Sequence, residues 1–239
     1  MSNGNWISQK CMGVRDSQHG FSVVEIMIAM VASLIVVGSV LAFTVSTVQS
    51  NTENVQATRL SQDLRAVMNL MTRELRRAGY DEESLDGVGR GIAYVSPFSQ
   101  MEVVESDTSG CFTIAYDRAG GTAGQIDPAN GELRAYRRTV VNGVGVMQML
   151  TGANTSCQQA NGWQNLTDSQ LTNIDAFDLD LVEGDVNGTV PLRVRDVDIV
   201  LTGSVIGRAE IVRSVDTRVR VRADCIRANL ATCNTAPAP

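Results

Sequence analysis

Residues Ile26 to Val45 are 20 consecutive positions without a charged side chain, and no other stretch restricts the fold so sharply. Twenty helical residues advance about 30 Å, the thickness of a bilayer's hydrocarbon core. A helix that is apolar on every side crosses a membrane or lies deep inside a protein. A chain of 239 residues rarely conceals such a run in its core, so the membrane is the expected solvent. The order of segments also departs from an ordinary secretory signal, in which basic and apolar stretches lead to small residues at a cleavage point. Here a polar segment carrying Lys10, Arg15 and Asp16 abuts Gly20-Phe21, and the apolar run follows. Basic residues on that side favour a cytoplasmic N-terminus.

Glu25 stands at the head of the run, where a carboxylate costs free energy and marks function unless it reaches back to the interface. It lies four residues after Phe21, one turn along the same helical face. A cut after Gly20 would give Phe21 a new α-amino group. A carboxylate in apolar surroundings needs a cationic partner, and a neighbouring copy's amino terminus is one. Gly20-Phe21-Ser22-Val23-Val24-Glu25 and the apolar run behind it resemble the type III signal of type IV pilins and type II secretion pseudopilins. The resemblance implies cleavage after Gly20 by a membrane-embedded prepilin peptidase, which also acts as the N-methyltransferase of Phe21. It further implies that Glu25 docks each subunit into the growing fibre, and that residues 1–20 are a cytoplasmic leader that is removed.

The helix is expected to continue past the apolar run. Val48 to Ala78 has no proline or glycine, and Leu60, Leu64, Val67, Met71, Leu75 and Ala78 repeat at three and four. Gln62, Arg65, Asn69, Arg73 and Arg76 occupy the opposite face, and Gly79 is a C-terminal stop signal. Strands follow. Cys111 to Tyr116 is β-branched and aromatic, while Glu132 to Val141 and Val144 to Leu150 flank Asn142-Gly143, a strong hairpin signal. Ala176 to Val182, Val190 to Leu201 and Val215 to Arg222 alternate apolar with polar residues. The expected fold class is α+β. A long helix over 21–79, with its transmembrane part at about 26–45, packs on a mostly antiparallel β-rich head over 80–239. Residues 81–91 and 119–131 read as loops.

Scarce residues exclude much chemistry. His19 is the single histidine and Lys10 the single lysine, so a chain cut after Gly20 has neither. Its formal charge moves from −6 to −7, because the leader carries two bases and one acid. That removes histidine-based nucleophilic sites, histidine metal ligands and a P-loop lysine, and no catalytic residue, cofactor or metal is expected. The acidic balance argues against nucleic acid as a partner. The stripe Arg218, Arg220, Arg222 then reads as a solvated strand face paired with acids on its neighbour. Cys11 lies in the leader. Cys111, Cys157, Cys225 and Cys233 form an even set, which in an oxidising compartment reads as disulfides with three possible pairings. We favour Cys225–Cys233 as a local clip and Cys111–Cys157 as a longer staple, worth about 2.6 and about 4 kcal/mol in the loop-entropy picture. Segments starting at Asp127 and Asp185 resemble parts of a calcium loop but lack the full ligand ladder, so each reads as a plain turn. Gly87 to Gly91 lacks the strand–turn–helix frame of a dinucleotide fingerprint.

Within the pilin group, Thr72 to Tyr80, Trp163 to Asp168 and the closing Arg-Val-Arg-Val-Arg strand resemble PilW-type minor pilins. That resemblance implies a subunit of a priming or tip complex that starts a type IV pilus, in company with other minor pilins, the major pilin and an adhesin at the tip. It implies residence in the inner membrane as a single-pass protein, then in the fibre at the cell surface. The J-type minor pseudopilin of type II secretion, with a similarly large head, is the alternative within the family. A single-pass membrane-anchored periplasmic binding domain is the alternative outside it.

Overall fold

A computed structural model describes residues 20–84, 96–153, 155–186 and 192–226. The chain divides between Asn51 and Thr52 into an N-terminal unit and a head. One helix, α1, runs from Val23 to Arg77, 55 residues. Beyond Asn51, Leu60, Leu64, Val67, Met68, Met71 and Leu75 are buried, while Arg65, Asn69, Arg73 and Arg76 are exposed. The periodicity in the sequence therefore marks the face that meets the head. The helix ends where expected: Arg76 and Arg77 occupy its last turn and suit the negative end of the dipole. Gly79 follows with φ +79°, a left-handed conformation that a side chain would strain, and its N–H donates to the Ala115 carbonyl at 2.8 Å.

The strands form two antiparallel sheets where the sequence suggested one. The first contains β1 (Met101–Val104), β2 (Cys111–Ala115), β3 (Leu133–Val141), β4 (Val144–Thr151) and β5 (Gln164–Asn165), side by side in that order. The second places β6 (Thr172–Val186), β7 (Leu192–Val205) and β8 (Arg208–Arg220) in order, and β9 (Cys225–Ile226) pairs with β7. The hairpin read from Asn142-Gly143 is present: Val141 pairs with Val144 and Asn142 has φ 52°. Alternation reveals a strand but not its partner, which is why the division into two sheets was not legible. The β1–β2 loop bridges the sheets. The Gly110 N–H donates to the Phe177 carbonyl at 2.8 Å, and the Phe177 N–H donates to the Thr108 carbonyl at 3.0 Å.

The helix and both sheets share one core, in which Leu60, Leu64, Met71 and Leu75 join Phe112, Tyr136 and Met147 of the first sheet and Phe177, Ile199, Leu201 and Val219 of the second. Close approach of α1 to β7 depends on Gly203, where an added Cβ would come within 3.2 Å of the Leu64 side chain and 3.0 Å of the Asn173 carbonyl. Leu64 is fully buried, so truncation removes its transfer free energy and leaves a cavity. Leu64→Ala should lower the unfolding free energy by about 2–5 kcal/mol. Arg65→Ala, one residue on, should change it by less than about 0.5 kcal/mol. Denaturant titration of the two variants checks both values.

Candidate functional site

At the start of α1 the Ser22 carbonyl accepts from the N–H groups of Glu25 at 3.0 Å and Ile26 at 3.2 Å, which sets the first turn. Phe21, Glu25, Ile26, Ala29, Met30 and Ser33 line one open hollow on this surface. The structure thus brings Phe21 and Glu25 to a common face, as their spacing implied. Gly20 precedes them and is exposed. Phe21 is 78% exposed, and every helical residue from 23 to 55 is solvent-accessible within this single chain. The helix is long and apolar enough to cross a membrane. The three hydroxyls of the apolar run are satisfied within it: Ser33, Ser39 and Thr44 donate to the carbonyls of Met30, Val36 and Val40. That is the arrangement a polar side chain needs in hydrocarbon.

In the head, Cys111 and Cys157 form a disulfide that spans 46 residues, with a Cα–Cα distance of 5.8 Å. It fastens the segment after β4 to β2. The same segment is held by Trp163, whose Nε1–H donates to the Gln159 carbonyl at 2.7 Å and whose ring lies 3.9 Å beneath the Arg137 guanidinium. Cys225 lies in β9, but Cys233 falls outside the described residues, and the Cys225–Cys233 pairing with it. Asp127 caps a short 3₁₀ turn over Pro128–Asn130, accepting from the Ala129 N–H at 3.0 Å, with Gly131 left-handed at φ 69°. This is the plain turn expected there. The Asp185 segment leaves the described residues after Val186, and Gly87 to Gly91 lies outside them. Arg218 forms a two-pronged ion pair with Asp198 on β7, and Arg220 pairs with Asp224 at 3.4 Å. This part of the stripe is ion-paired. Among the described residues no group of three or more His, Cys, Asp or Glu side chains is placed to hold a metal ion.

The buried face of α1 also carries one carboxylate. Glu74 sits on the apolar face of α1 and is 1% exposed. Its carboxylate accepts from the Tyr116 hydroxyl at 2.7 Å and from Arg134 Nη1 at 3.0 Å, and Arg134 also lies 5.5 Å over the Tyr116 ring. A signal existed, since position 74 falls three residues after Met71 on the same stripe. A buried carboxylate is tolerated only with such partners, so this trio fixes where the helix end meets the first sheet. Burial and the adjoining carboxylate hold the Tyr116 phenol up at about 12, and burial pushes the Tyr136 phenol up as well.

The prokaryotic N-terminal methylation motif matches residues 15–41. Prepilin peptidase-dependent protein B, a family of pilin-like proteins, matches residues 53–221. The chain belongs to this family, and it is a structural pilin-like or pseudopilin-like protein rather than an enzyme. No curated protein and no solved structure matches it significantly.

The chain has four tyrosines. In the folded state Tyr116 and Tyr136 should remain protonated where an unfolded tyrosine, with a pKa near 10, already ionises. A native pKa above the unfolded one means that the native state holds the proton longer. The contribution of these two phenols to stability is therefore whole below about pH 10 and declines as the pH rises towards 12. Ultraviolet titration should show the tyrosinate signal of these two residues only as the fold is lost.

Proposed function

We propose that the chain is a minor pilin of the PilW type, made as a single-pass inner-membrane precursor with residues 1–20 in the cytoplasm. Peptidase cleavage after Gly20 frees the Phe21 amine, which is then methylated. The head over 80–239 lies on the far side of the membrane. The carrying observation is the surface of α1, on which Phe21 and Glu25 share one face while the apolar run from Ile26 to Val45 is uncovered. Such a surface must be met by lipid or by other apolar helices.

A carboxylate in hydrocarbon costs on the order of 3 kcal/mol. In the membrane, Glu25 therefore favours a neighbouring subunit that offers a cationic amino terminus, which selects a register between parallel helices. As subunits are lifted outwards, the apolar part of α1 exchanges lipid for the helices of other pilins. The 55-residue helix and a two-sheet head suit a low-abundance subunit at the start or tip of a fibre, together with other minor pilins, the major pilin and an adhesin.

Replacing Gly20 by a bulky residue should block leader removal. Glu25→Ala should leave cleavage intact and abolish entry into the minor-pilin complex, read by co-purification with pilins from membranes. Normal incorporation of the Glu25→Ala protein would overturn the docking role. Deletion of the gene should abolish surface pili and twitching. Loss of protein secretion with pili intact would instead place the chain with the J-type pseudopilins of type II secretion.

A further inference from the structure

A second surface lies wholly within the head, at the C-terminal end of α1. Arg76, Arg77, Arg118 and Arg222 line an open cavity of about 700 Å³ with Tyr80, Tyr116, Asp81 and Asp117. Four arginines thus line one cavity in a chain whose net charge is −6. The two carboxylates in the lining are already engaged. Asp117 accepts from the Glu82 N–H at 3.1 Å and the Gly124 N–H at 3.3 Å, and Asp81 accepts from the Glu83 N–H at 2.9 Å. Both are buried, at 5% and 4% exposure.

The arginines differ in what they do for the fold. Arg77 approaches Glu74 at 3.9 Å and lies 5.6 Å over the Tyr116 ring, and Arg118 donates to the Asn130 carbonyl at 2.9 Å. Arg76 and Arg222 are exposed, and their side chains make no ion pair or hydrogen bond among the described residues. Tyr80, 58% exposed, lines the same cavity. Arginine and tyrosine are the residues in which binding hot spots are richest, and the planar arginine fork matches a carboxylate in a bidentate way.

We propose that this groove docks an acidic peptide segment of a neighbouring pilin subunit, whose carboxylates are held by Arg76 and Arg222 against Tyr80. The inference rests on the assembly reading above and adds the chemistry of one contact. Membrane phosphate headgroups share the charge, and the vesicle arm of the test below separates them from a peptide.

The test uses the full chain in detergent with a labelled hexaglutamate peptide as probe. Binding should weaken steeply with salt and by about tenfold in the R76E/R222E double variant. The R65E/R213E variant, with the same charge change elsewhere on the head, should bind as the parent does. Tyr80→Ala should also weaken binding, with the far-UV spectrum unchanged. Equal loss in R65E/R213E, no binding by the parent chain, full displacement by inorganic phosphate at equal charge, or a preference for phosphatidylglycerol vesicles would each overturn the proposal. Leader cleavage and Glu25-dependent incorporation are scored on the same variants in cells. If both proceed normally in R76E/R222E while the parent chain fails to bind the peptide, the groove assignment fails and the pilin reading stands. If cleavage after Gly20 is itself absent, it is the pilin reading that fails.

Discussion

The buried stripe of α1 from Leu60 to Leu75 packs into one cluster of side chains to which both sheets contribute. Burying each of these leucines and methionines contributes about 1.5–3 kcal/mol, and together they anchor the helix in the head. The charged end of that stripe is handled separately, with Glu74 neutralised by Arg134 and bonded by Tyr116. Removing one partner of such a buried set costs more than the set contributes, because the other charge is left stranded. The helix end is therefore fixed in register as well as held.

This anchoring leaves the other half of α1 available. The residues of the apolar run up to Val45 are exposed in the isolated chain, and their apolar character makes water the wrong solvent for them. One helix thus answers to two environments. Its second half is satisfied inside its own head, and its first half requires lipid or other helices. A fibre subunit that begins in a membrane needs both conditions. The Cys111–Cys157 disulfide and the Arg137–Trp163 contact secure the surface segment after β4 without contributing to the central core.

Much of this was legible in the sequence, for reasons that can be traced to particular residues. The period of Leu60, Leu64, Val67, Met71 and Leu75 gave the buried face, Gly79 the helix end, and Asn142-Gly143 the hairpin. These are local signals, written within a few residues of where they act. Strand pairing is not local. The long ladder between β6 and β7, and the crossing of the β1–β2 loop onto β6, depend on residues that alternation alone does not connect. The burial of Glu74 is not legible in the sequence, because a single acid on an amphipathic helix ordinarily faces water, and its partners lie 42 and 60 residues further along the chain. The arginine groove has the same character, since Arg76, Arg118 and Arg222 meet only after folding.

The state of the N-terminus separates a processed pilin subunit from an uncleaved membrane anchor. Intact-mass and N-terminal analysis of the protein from membranes should give a chain that starts at Phe21 and carries one added methyl group. A chain starting at Met1 or Ser2 would contradict it.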